Sequence, residues 1–329
     1  MTDTDALAEI ALPSLDRLEA AADLIYRVLA PTPQFQWPLL SRRAGTDIWV
    51  KHENHHPVGA FKVRGGLVYM ERLKRARPDI KGVVAATRGN HGQSVAFAAA
   101  RHGLTATIVV PHGNSREKNA AMQALGGELI VHGADFQESL EFADSLAGER
   151  GLFAMPSFDM ALVEGVATYG LELLRAVPDL DTIYVPIGLG SGISGTIAAR
   201  EALGLKTKIV GVVSTDAPAY ALSFAAHRPV SHPVTTAIAD GMACRTPVAA
   251  ALEIIWRHVD RVVRVSDAEI EAAMRAYFTD THNVAEGAGA AGLAALLQEK
   301  DRMVGRKVGL VLSGGNVDRE VYARVLAAG

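Results

Sequence analysis

Short apolar runs rich in β-branched residues alternate with helical patterns along most of this 329-residue chain. The runs include VVAA, ATIVVP, TIYVP, KIVGVV and KVGLVLS, and the segments between them carry apolar residues at helical spacing. This alternation predicts βαβ units with parallel strands, and therefore an α/β fold. Because the chain is longer than one typical core of about 100–200 residues, we expect two α/β lobes.

The composition is that of a globular protein with a small-molecule ligand. Hydrophobic residues make up 49% and charged residues 21% of the chain, and the net charge is −3. The chain contains no run of five or six lysines or arginines. These features argue against nucleic acid and against an anionic membrane as the main partner.

The sequence indicates a cytoplasmic protein. The N-terminus, MTDTDALAEI, is acidic where a secretory signal would be basic. The longest apolar stretch, near residues 290–297, is far shorter than the roughly 18 residues of a membrane span. The single cysteine, Cys244, excludes an intrachain disulfide and a thiolate metal cluster, and we interpret it as a small buried hydrophobic residue.

The segment GAFKVRGG places one lysine, Lys62, between Phe61 and Val63. Apolar surroundings disfavour the ammonium form, so this amine can act as a nucleophile and form a Schiff base with an aldehyde. The alternative is a surface lysine at the start of a helix. The glycines at 59, 65 and 66 favour the first interpretation, because each costs roughly 1 kcal/mol of helix propensity and indicates close approach of something bulky.

The segment ATRGNHGQS follows the apolar run VVAA, at the point where a strand meets a helix. Amides at a helix N-terminus favour an anion such as a substrate carboxylate. Asn90 can also donate a hydrogen bond to a phenolate oxygen. The alternative is an ordinary turn with Asn90 as the helix cap.

The segment VPIGLGSGISG is a glycine-rich loop between an apolar run and a helix. Its amides, with the hydroxyls of Ser191 and Ser194, predict a phosphate site. A dinucleotide fingerprint is the rival, but no acidic residue ends the following run KIVGVV, and the first candidate is Asp216.

The segment SGGNVD begins with Ser313, directly after the run KVGLVL. If the ligand carries a pyridine ring, a hydroxyl at this position can donate to its neutral nitrogen. The ring is then a milder electron sink than it would be beside a carboxylate, which would keep that nitrogen protonated. The alternative is a simple turn before the last helix. The adjacent His55 and His56 could suggest a metal site, but neighbouring side chains diverge and no third ligand is spaced nearby, so we expect a turn and no metal.

These four segments resemble, in order and spacing, those of the fold-type II pyridoxal-phosphate enzymes, a group that contains serine/threonine dehydratases, serine racemase, threonine synthase and cysteine synthase. The resemblance spans about residues 45–320 and implies pyridoxal 5'-phosphate as cofactor. The implied contacts are Lys62 with the cofactor aldehyde, Phe61 beside the ring, Asn90 with the phenolate oxygen, Gly188, Leu189, Gly190, Ser191 and Gly192 with the phosphate, and Ser313 with the pyridine nitrogen.

The resemblance also implies substrate contacts and an architecture. Thr87, Arg88, Gly89 and His91 would receive the substrate carboxylate. Glu286 in EGAGAAG matches the family's Glu-Pro position beside the cofactor, with glycine replacing the proline. The implied fold has two lobes, each a mainly parallel twisted sheet flanked by helices. Residues 1–75 and 157–329 would form a large cofactor-binding domain, residues 80–156 a small mobile substrate-side domain, and two chains a homodimer.

Within the family, FKVRG and GNHG resemble the dehydratase and racemase branch. Arg88 and the loop GLGSG depart from ordinary threonine dehydratases and resemble the hydroxyectoine-utilisation and other specialised hydroxyamino-acid dehydratases. The chain ends at Gly329, soon after Ser313, which leaves no room for the regulatory domain of allosteric biosynthetic threonine dehydratases. This favours a catabolic role in amino-acid or hydroxyectoine degradation.

The implied activity is that of a lyase. Lys62 releases the aldehyde to a 3-hydroxy amino acid and removes the α-proton, and the β-hydroxyl leaves as water with the cofactor phosphate as the implied proton donor. An aminoacrylate-type intermediate then gives a 2-oxo acid and ammonia. The rival activities are a serine-type racemase and a catalytically silent pyridoxal-phosphate-binding protein.

Two positions refine these expectations. Serine racemases carry a serine at the position of Arg88 as the acid and base opposite the lysine, whereas an arginine stays protonated and disfavours racemisation. Its guanidinium could instead pair with a carboxylate on the substrate or on the protein. Metal-activated members place a glutamate just after the strand that KIVGVV matches, and because Ser214 and Thr215 stand there, we expect no dependence on magnesium or calcium.

Overall fold

The computed structural model describes residues 10–328, so the expectation drawn from the acidic N-terminus falls largely outside the described residues. The strands of the described chain are β1 (Gln34–Gln36), β2 (Asp47–His52), β3 (Gly82–Ala86), β4 (Thr105–Val110), β5 (Gly127–Val131), β6 (Phe153–Ala154), β7 (Thr182–Pro186), β8 (Lys208–Ser214), β9 (Arg261–Val265) and β10 (Lys307–Leu312). No helix among residues 10–328 is long and apolar enough to cross a bilayer.

The helices separate most of the strands, as the alternating pattern predicts. They are α1 (Leu15–Tyr26), α2 (Pro38–Ala44), α3 (Lys62–Ala76), α4 (Asn90–Arg101), α5 (Arg116–Ala124), α6 (Phe136–Arg150), α7 (Met160–Ala176), α8 (Ser191–Ala202), α9 (Ala219–Ala226), α10 (Ala249–His258), α11 (Asp267–Thr281), α12 (Gly287–Gln298) and α13 (Arg319–Ala327).

The strands form two sheets. One has six strands in the order β1-β2-β10-β7-β8-β9, in which only the β1–β2 pair is antiparallel. The other has four parallel strands in the order β5-β4-β3-β6. The predicted α/β fold with mainly parallel sheets flanked by helices is therefore confirmed.

Each sheet has its own hydrophobic core, and α3 lies between the two. A large cluster of buried side chains covers the six-stranded sheet, while smaller clusters cover the four-stranded sheet. Helix α3 packs against α7 on one side and α4 on the other. The chain segment that carries Lys62 is therefore held by elements of both halves of the molecule.

Three strands end at the same region, and this sets the position of the site. The carboxyl end of β3 leads into the loop at 87–89, that of β7 into the loop at 187–190, and that of β10 into Ser313. Ligands of parallel α/β sheets bind at the carboxyl ends of strands. The fold thus brings together three segments that are far apart in the sequence.

Candidate active site

A cavity of about 890 Å³ lies at these strand ends, within the roughly 300–1,000 Å³ typical of small-molecule sites. Every site residue expected from the sequence lines it: Phe61, Lys62, Thr87, Arg88, Gly89, Asn90, His91, Gly188, Leu189, Gly190, Ser191, Gly192, Glu286 and Ser313. The structure brings all of them together, while their individual roles stay predictions.

Lys62 is the first residue of α3 and lines the cavity. Its Nζ donates to Ser191 Oγ at 3.0 Å and lies 5.1 Å from the centre of the Phe61 ring. No carboxylate of the described residues contacts it, and burial lowers the pKa of its amine to about 8. More of this amine is therefore unprotonated near neutral pH than of an ordinary exposed lysine, which favours its use as a nucleophile.

The glycines around Lys62 have a different cause from the one expected. A Cβ at Gly65 would lie 2.7 Å from the carbonyl oxygen of Leu162 in α7, and a Cβ at Gly66 would lie 2.1 Å from Ser94 Oγ in α4. Neighbouring helices, rather than a ligand, approach the backbone at these two positions. The expectation that a bulky ligand explains them is wrong for Gly65 and Gly66.

The glycine loop at 188–192 wraps the N-terminus of α8. A Cβ at Gly188 would meet the Gly241 carbonyl oxygen at 2.4 Å, and Gly190 has φ +103°, which side chains rarely adopt. The Tyr220 hydroxyl donates to the Leu189 carbonyl oxygen at 2.8 Å and fixes the loop. The result is a rigid cradle of backbone amides at a helix N-terminus, which suits a phosphate.

The two serines of this loop differ. The Ser191 hydroxyl accepts the Lys62 hydrogen bond inside the cavity. Ser194 does not line the cavity, and its buried hydroxyl has no partner among the described residues. The structure thus places the Ser191 hydroxyl, and not the Ser194 hydroxyl, on the cavity, while a role for either hydroxyl in binding the anion stays a prediction.

The loop before α4 is organised by a hydroxyl. Thr87 Oγ1 accepts from the amides of Gly89 at 2.9 Å and Gly92 at 3.2 Å. The first-turn amides of Asn90 and His91 remain available to an anion. Burial, with a smaller contribution from Lys62, lowers the pKa of His91 to about 3, so its imidazole is neutral, and its Nε2 has no partner among the described residues.

Asn90 belongs to a network of hydrogen-bonded polar side chains at the cavity. Its Nδ2 donates to Glu286 Oε1 at 2.6 Å, and Asn316 Nδ2 donates to Asn90 Oδ1 at 2.9 Å. Lys118 of α5 lies 3.1 Å from the other Glu286 oxygen and 2.7 Å from Asp240. Glu286 is the residue before α12, so this network ties the two sheets together.

The carboxylates of Glu286 and Asp240 both lie beside one cation, the ammonium of Lys118, and this affects the pKa of Glu286 and that of Lys118. Burial raises the pKa of Glu286, the Lys118 ammonium opposes that change, and the negative charge of nearby Asp240 raises the pKa further. Burial alone would lower the pKa of Lys118, but the two carboxylates outweigh it and raise that pKa. Sequence reasoning missed Lys118 and Asp240, because neither lies in a glycine-rich segment and only the fold brings them together.

Ser313 follows β10 at the cavity wall and is almost completely buried. Its backbone is fixed because the Phe61 amide donates to the Ser313 carbonyl oxygen at 3.0 Å. Within residues 10–328 its hydroxyl makes no hydrogen bond, so it is free to serve a ligand atom.

Arg88 is exposed at the cavity and has no carboxylate partner in the part of the chain that the structure describes. A structural salt bridge, one of the two interpretations of its guanidinium, is therefore not formed with any residue from 10 to 328. Cys244 is buried as expected, and burial raises the pKa of its thiol to about 12.

The two adjacent histidines lie in a turn. His55 Nε2 contacts Asn283 Oδ1 at 2.6 Å, and its ring stacks on His52 with centres 4.7 Å apart. Across residues 10–328, no group of three or more histidine, cysteine, aspartate or glutamate side chains is arranged to hold a metal ion.

The residues present fit pyridoxal phosphate. The cavity offers a desolvated amine for the aldehyde, a rigid amide cradle for the phosphate, and an uncommitted buried hydroxyl at Ser313 for the ring nitrogen. The Asn90 amide and the Phe61 ring lie on the same cavity. A profile of the family described as "Pyridoxal-phosphate dependent enzyme" matches residues 25–314. The chain belongs to this family. Its predicted cofactor, pyridoxal 5'-phosphate, is confirmed.

Similar proteins narrow the class. The chain is 33% identical over 320 residues to the L-threonine ammonia-lyase of Thermotoga maritima, covering 96% of this chain and 79% of that protein. It is 33% identical over 307 residues to the catabolic L-threonine dehydratase of Escherichia coli strain K12, covering 92% of each. The solved structure of maize serine racemase superposes with a TM-score of 0.89 at 30% identity, covering 97% of this chain and 98% of that one.

These likenesses confirm two expectations. The two-sheet architecture of this pyridoxal-phosphate enzyme is that of solved fold-type II enzymes. Its class is a pyridoxal-phosphate-dependent lyase similar to the threonine/serine dehydratases.

Proposed function

We propose that the protein is a dehydratase of a 3-hydroxy amino acid, releasing ammonia and a 2-oxo acid. The observation that carries the proposal is the Lys62 amine, which is desolvated, donates its one hydrogen bond within residues 10–328 to Ser191, and lies beside the amide loop that suits a phosphate. When bound, pyridoxal phosphate supplies the electron-withdrawing ring that lets the substrate lose its α-proton. The likeness to L-threonine ammonia-lyases supports the reaction class.

The proposed roles of the protein's own groups follow from their positions. The Lys62 amine accepts the proton from C2 of the substrate, and the Ser191 hydroxyl keeps that amine at the cavity wall. The first-turn amides of Asn90 and His91 bind the substrate carboxylate. Neutral His91 offers a hydrogen bond without adding a second positive charge beside Lys62.

The atoms balance without an oxidant or reductant. The C2–H bond and then the C3–O bond break, and the hydroxyl leaves with one proton as water. The released enamine takes up a proton at C3 to become an imine, and one water hydrolyses it. The net products are one ammonium and one 2-oxo acid.

Racemisation is the competing outcome, because the fold is shared with a serine racemase. Inverting C2 needs a second proton-transfer group on the face opposite Lys62. Arg88 lines that cavity, and a guanidinium stays protonated, so it cannot accept a proton there. Elimination is therefore the proposed main reaction.

The proposed substrates are serine, threonine, and hydroxyamino acids formed by opening the hydroxyectoine ring. A panel of such compounds, tested for ammonia and 2-oxo acid release by purified protein loaded with pyridoxal phosphate, tests this directly. We expect at least one to give equal amounts of both products. If the protein releases neither ammonia nor a 2-oxo acid from any compound of the panel, the proposed function is wrong.

We further propose that the working form is a cytoplasmic homodimer in which residues 80–156 move as a small domain against the remainder, residues 1–75 and 157–329. Exposed Phe35, Leu39, Phe278 and Val284 supply apolar surface for a second copy. Light scattering should give twice the mass of one chain, and a monomer at micromolar concentration would contradict the dimer.

Replacing Ser313 with aspartate is expected to slow 2-oxo acid formation and to increase side transamination. A carboxylate beside the ring nitrogen holds a proton there and makes the ring a stronger electron acceptor. Chromatography of pyridoxamine phosphate against 2-oxo acid measures the change. Ser313→Ala, which removes the donor without adding charge, is the control, and an unchanged product ratio in Ser313→Asp would refute the role proposed for Ser313.

Activity is expected to survive prolonged treatment with a chelator. At the end of β8 the Ser214 hydroxyl accepts from the Asp216 amide at 3.1 Å, and Asp216 is the one carboxylate nearby in sequence. Magnesium and calcium prefer several oxygen ligands. Ammonia release is measured before and after EDTA, and a loss that added magnesium restores would overturn the expectation.

A further inference from the structure

We propose that the substrate carries a second carboxylate and that Arg88 and Arg245 bind it. This inference rests on the proposed dehydratase function and narrows its substrate class. Both arginines line the cavity, and neither side chain makes a hydrogen bond or ion pair with any residue of the described chain, 10–328. The pair is therefore uncompensated positive charge at the mouth of a ligand site.

Arg88 comes from the four-stranded half of the molecule. It follows β3 directly, and its neighbour Thr87 is buried and bonded to two loop amides. The backbone at Arg88 is therefore fixed while its side chain is exposed to the cavity. A guanidinium on a fixed backbone loses less entropy when it binds a ligand.

Arg245 comes from the six-stranded half. Its carbonyl oxygen accepts from the His232 amide at 3.0 Å, and its neighbour Cys244 is buried with its thiol against the Thr246 carbonyl oxygen at 3.3 Å. The Arg245 side chain is exposed. Arg88 and Arg245 thus line one cavity from the two halves of the molecule, and a ligand that binds both would bridge the halves.

The carboxylates that line the cavity already have partners. Asp240 and Glu286 share the ammonium of Lys118. Asp135 caps α6, where its side chain accepts from the Glu138 amide at 3.0 Å. Within residues 10–328 the cavity wall therefore offers the two arginines no uncommitted carboxylate, and an anionic ligand is the partner we infer.

The other anionic groups of cofactor and substrate have sites built from backbone amides. The loop at 188–192 suits the cofactor phosphate, and the first-turn amides of Asn90 and His91 suit the substrate's own carboxylate. Neither needs a guanidinium. A planar guanidinium matches a carboxylate through two parallel hydrogen bonds, so a second carboxylate is the group that fits the arginine pair.

The substrate class that follows is a 3-hydroxy amino dicarboxylic acid, of which 3-hydroxyaspartate is the shortest. The same elimination breaks its C2–H and C3–O bonds and gives one ammonium and one 2-oxo dicarboxylate. Serine, threonine and the monocarboxylic acids derived from hydroxyectoine lack the second carboxylate and would use the cavity without the arginine pair.

The first test compares 3-hydroxyaspartate, in both diastereomers, with L-serine as substrates of the cofactor-loaded enzyme. We expect kcat/KM to be higher for one diastereomer than for serine. In Arg88→Gln and in Arg245→Gln, the ratio of the two kcat/KM values should fall about 10- to 100-fold, the loss expected for a charge-assisted hydrogen bond. Arg27→Gln, an exposed arginine outside the cavity, is the control and should leave the ratio unchanged.

The second test is independent of turnover. Calorimetry measures binding of succinate and of butyrate, which differ by one carboxylate, to the same loaded proteins. We expect succinate to bind at least tenfold more tightly, and either arginine variant to lose that preference. If no hydroxyamino acid is turned over while succinate keeps its preference, the dehydratase function fails and the arginine subsite stands. If serine is turned over but neither ratio responds to the arginine variants, the subsite fails and the function stands.

Discussion

Lys62→Ala should give a folded protein that no longer holds the cofactor covalently and that releases ammonia at least about 10²- to 10⁴-fold more slowly, the range for loss of a general base. Among the described residues the Lys62 amine makes a single hydrogen bond, to Ser191, and no ion pair, so we expect its removal to leave the surrounding packing intact. Borohydride reduction followed by peptide mass spectrometry measures the attachment. Lys81→Ala, an exposed lysine outside the cavity, is the matched control.

The pH dependence of cofactor capture tests the same residue. Because burial lowers the pKa of Lys62 to about 8, the unprotonated amine that attacks the aldehyde increases as pH rises through about 8. The rate of absorbance change on mixing apoprotein with pyridoxal phosphate should follow that curve.

A reducible lysine adduct together with normal turnover in Lys62→Ala would show that another residue holds the cofactor.

Arg64→Met should destabilise the protein by about 3–5 kcal/mol, the cost of leaving buried charges unpaired. Arg64 lies in α3, two residues after Lys62, and is 2% exposed. Its guanidinium forms paired hydrogen bonds to Glu53 at 2.7 and 2.9 Å and to Glu172 at 2.6 and 2.9 Å. The same guanidinium also donates to the hydroxyl oxygens of Thr168 and Thr32.

The ionisation of this cluster explains the size of the effect. Burial alone would raise the pKa of Glu53, but Arg64 and Lys51 outweigh it and lower that pKa, so the carboxylate stays charged inside the protein. Lys51 also bonds Glu172. Without Arg64, two buried carboxylates share one ammonium, and their repulsion and lost solvation favour the unfolded chain.

Arg77→Met provides the control for Arg64→Met. Arg77 follows the same helix and pairs with Asp79 at the exposed surface, with 55% and 70% of the two side chains accessible. Loss of an exposed pair costs about 0–1 kcal/mol. The urea midpoint of each variant measures the difference, and equal midpoints for Arg64→Met and the wild type would contradict the account of the buried cluster.

The sequence predicted those parts of the site that lie in contiguous segments beside strands. Lys62, the loop at 188–192 and Ser313 each follow or precede a recognisable apolar run, so their placement at one sheet edge follows from parallel topology. Lys118, Asp240 and Arg245 lie outside such segments. Their places on the cavity depend on how α5 and the loop before α10 pack, which no local pattern encodes.

Sequence patterns predict secondary structure least well where an element is buried on all sides or is very short, because the alternation of polar and apolar residues is then weak. Helix α7 is buried on nearly every face, and even its polar residues Glu164 and Thr168 lie inside the protein, so it lacks the exposed polar face that marks an ordinary surface helix. The short antiparallel strand β1 was missed, since three residues carry too little alternation.

The central claim is that Lys62 removes an α-proton and that the β-hydroxyl then leaves. Proton NMR of the cofactor-loaded enzyme with a responsive 3-hydroxy amino acid in D₂O measures both events at once. The account predicts a 2-oxo acid labelled with deuterium at C3, in amounts equal to the ammonium formed, while the remaining amino acid keeps its α-proton. Deuterium at the α-carbon of the amino acid with no 2-oxo acid formed would contradict it and would identify a racemase instead.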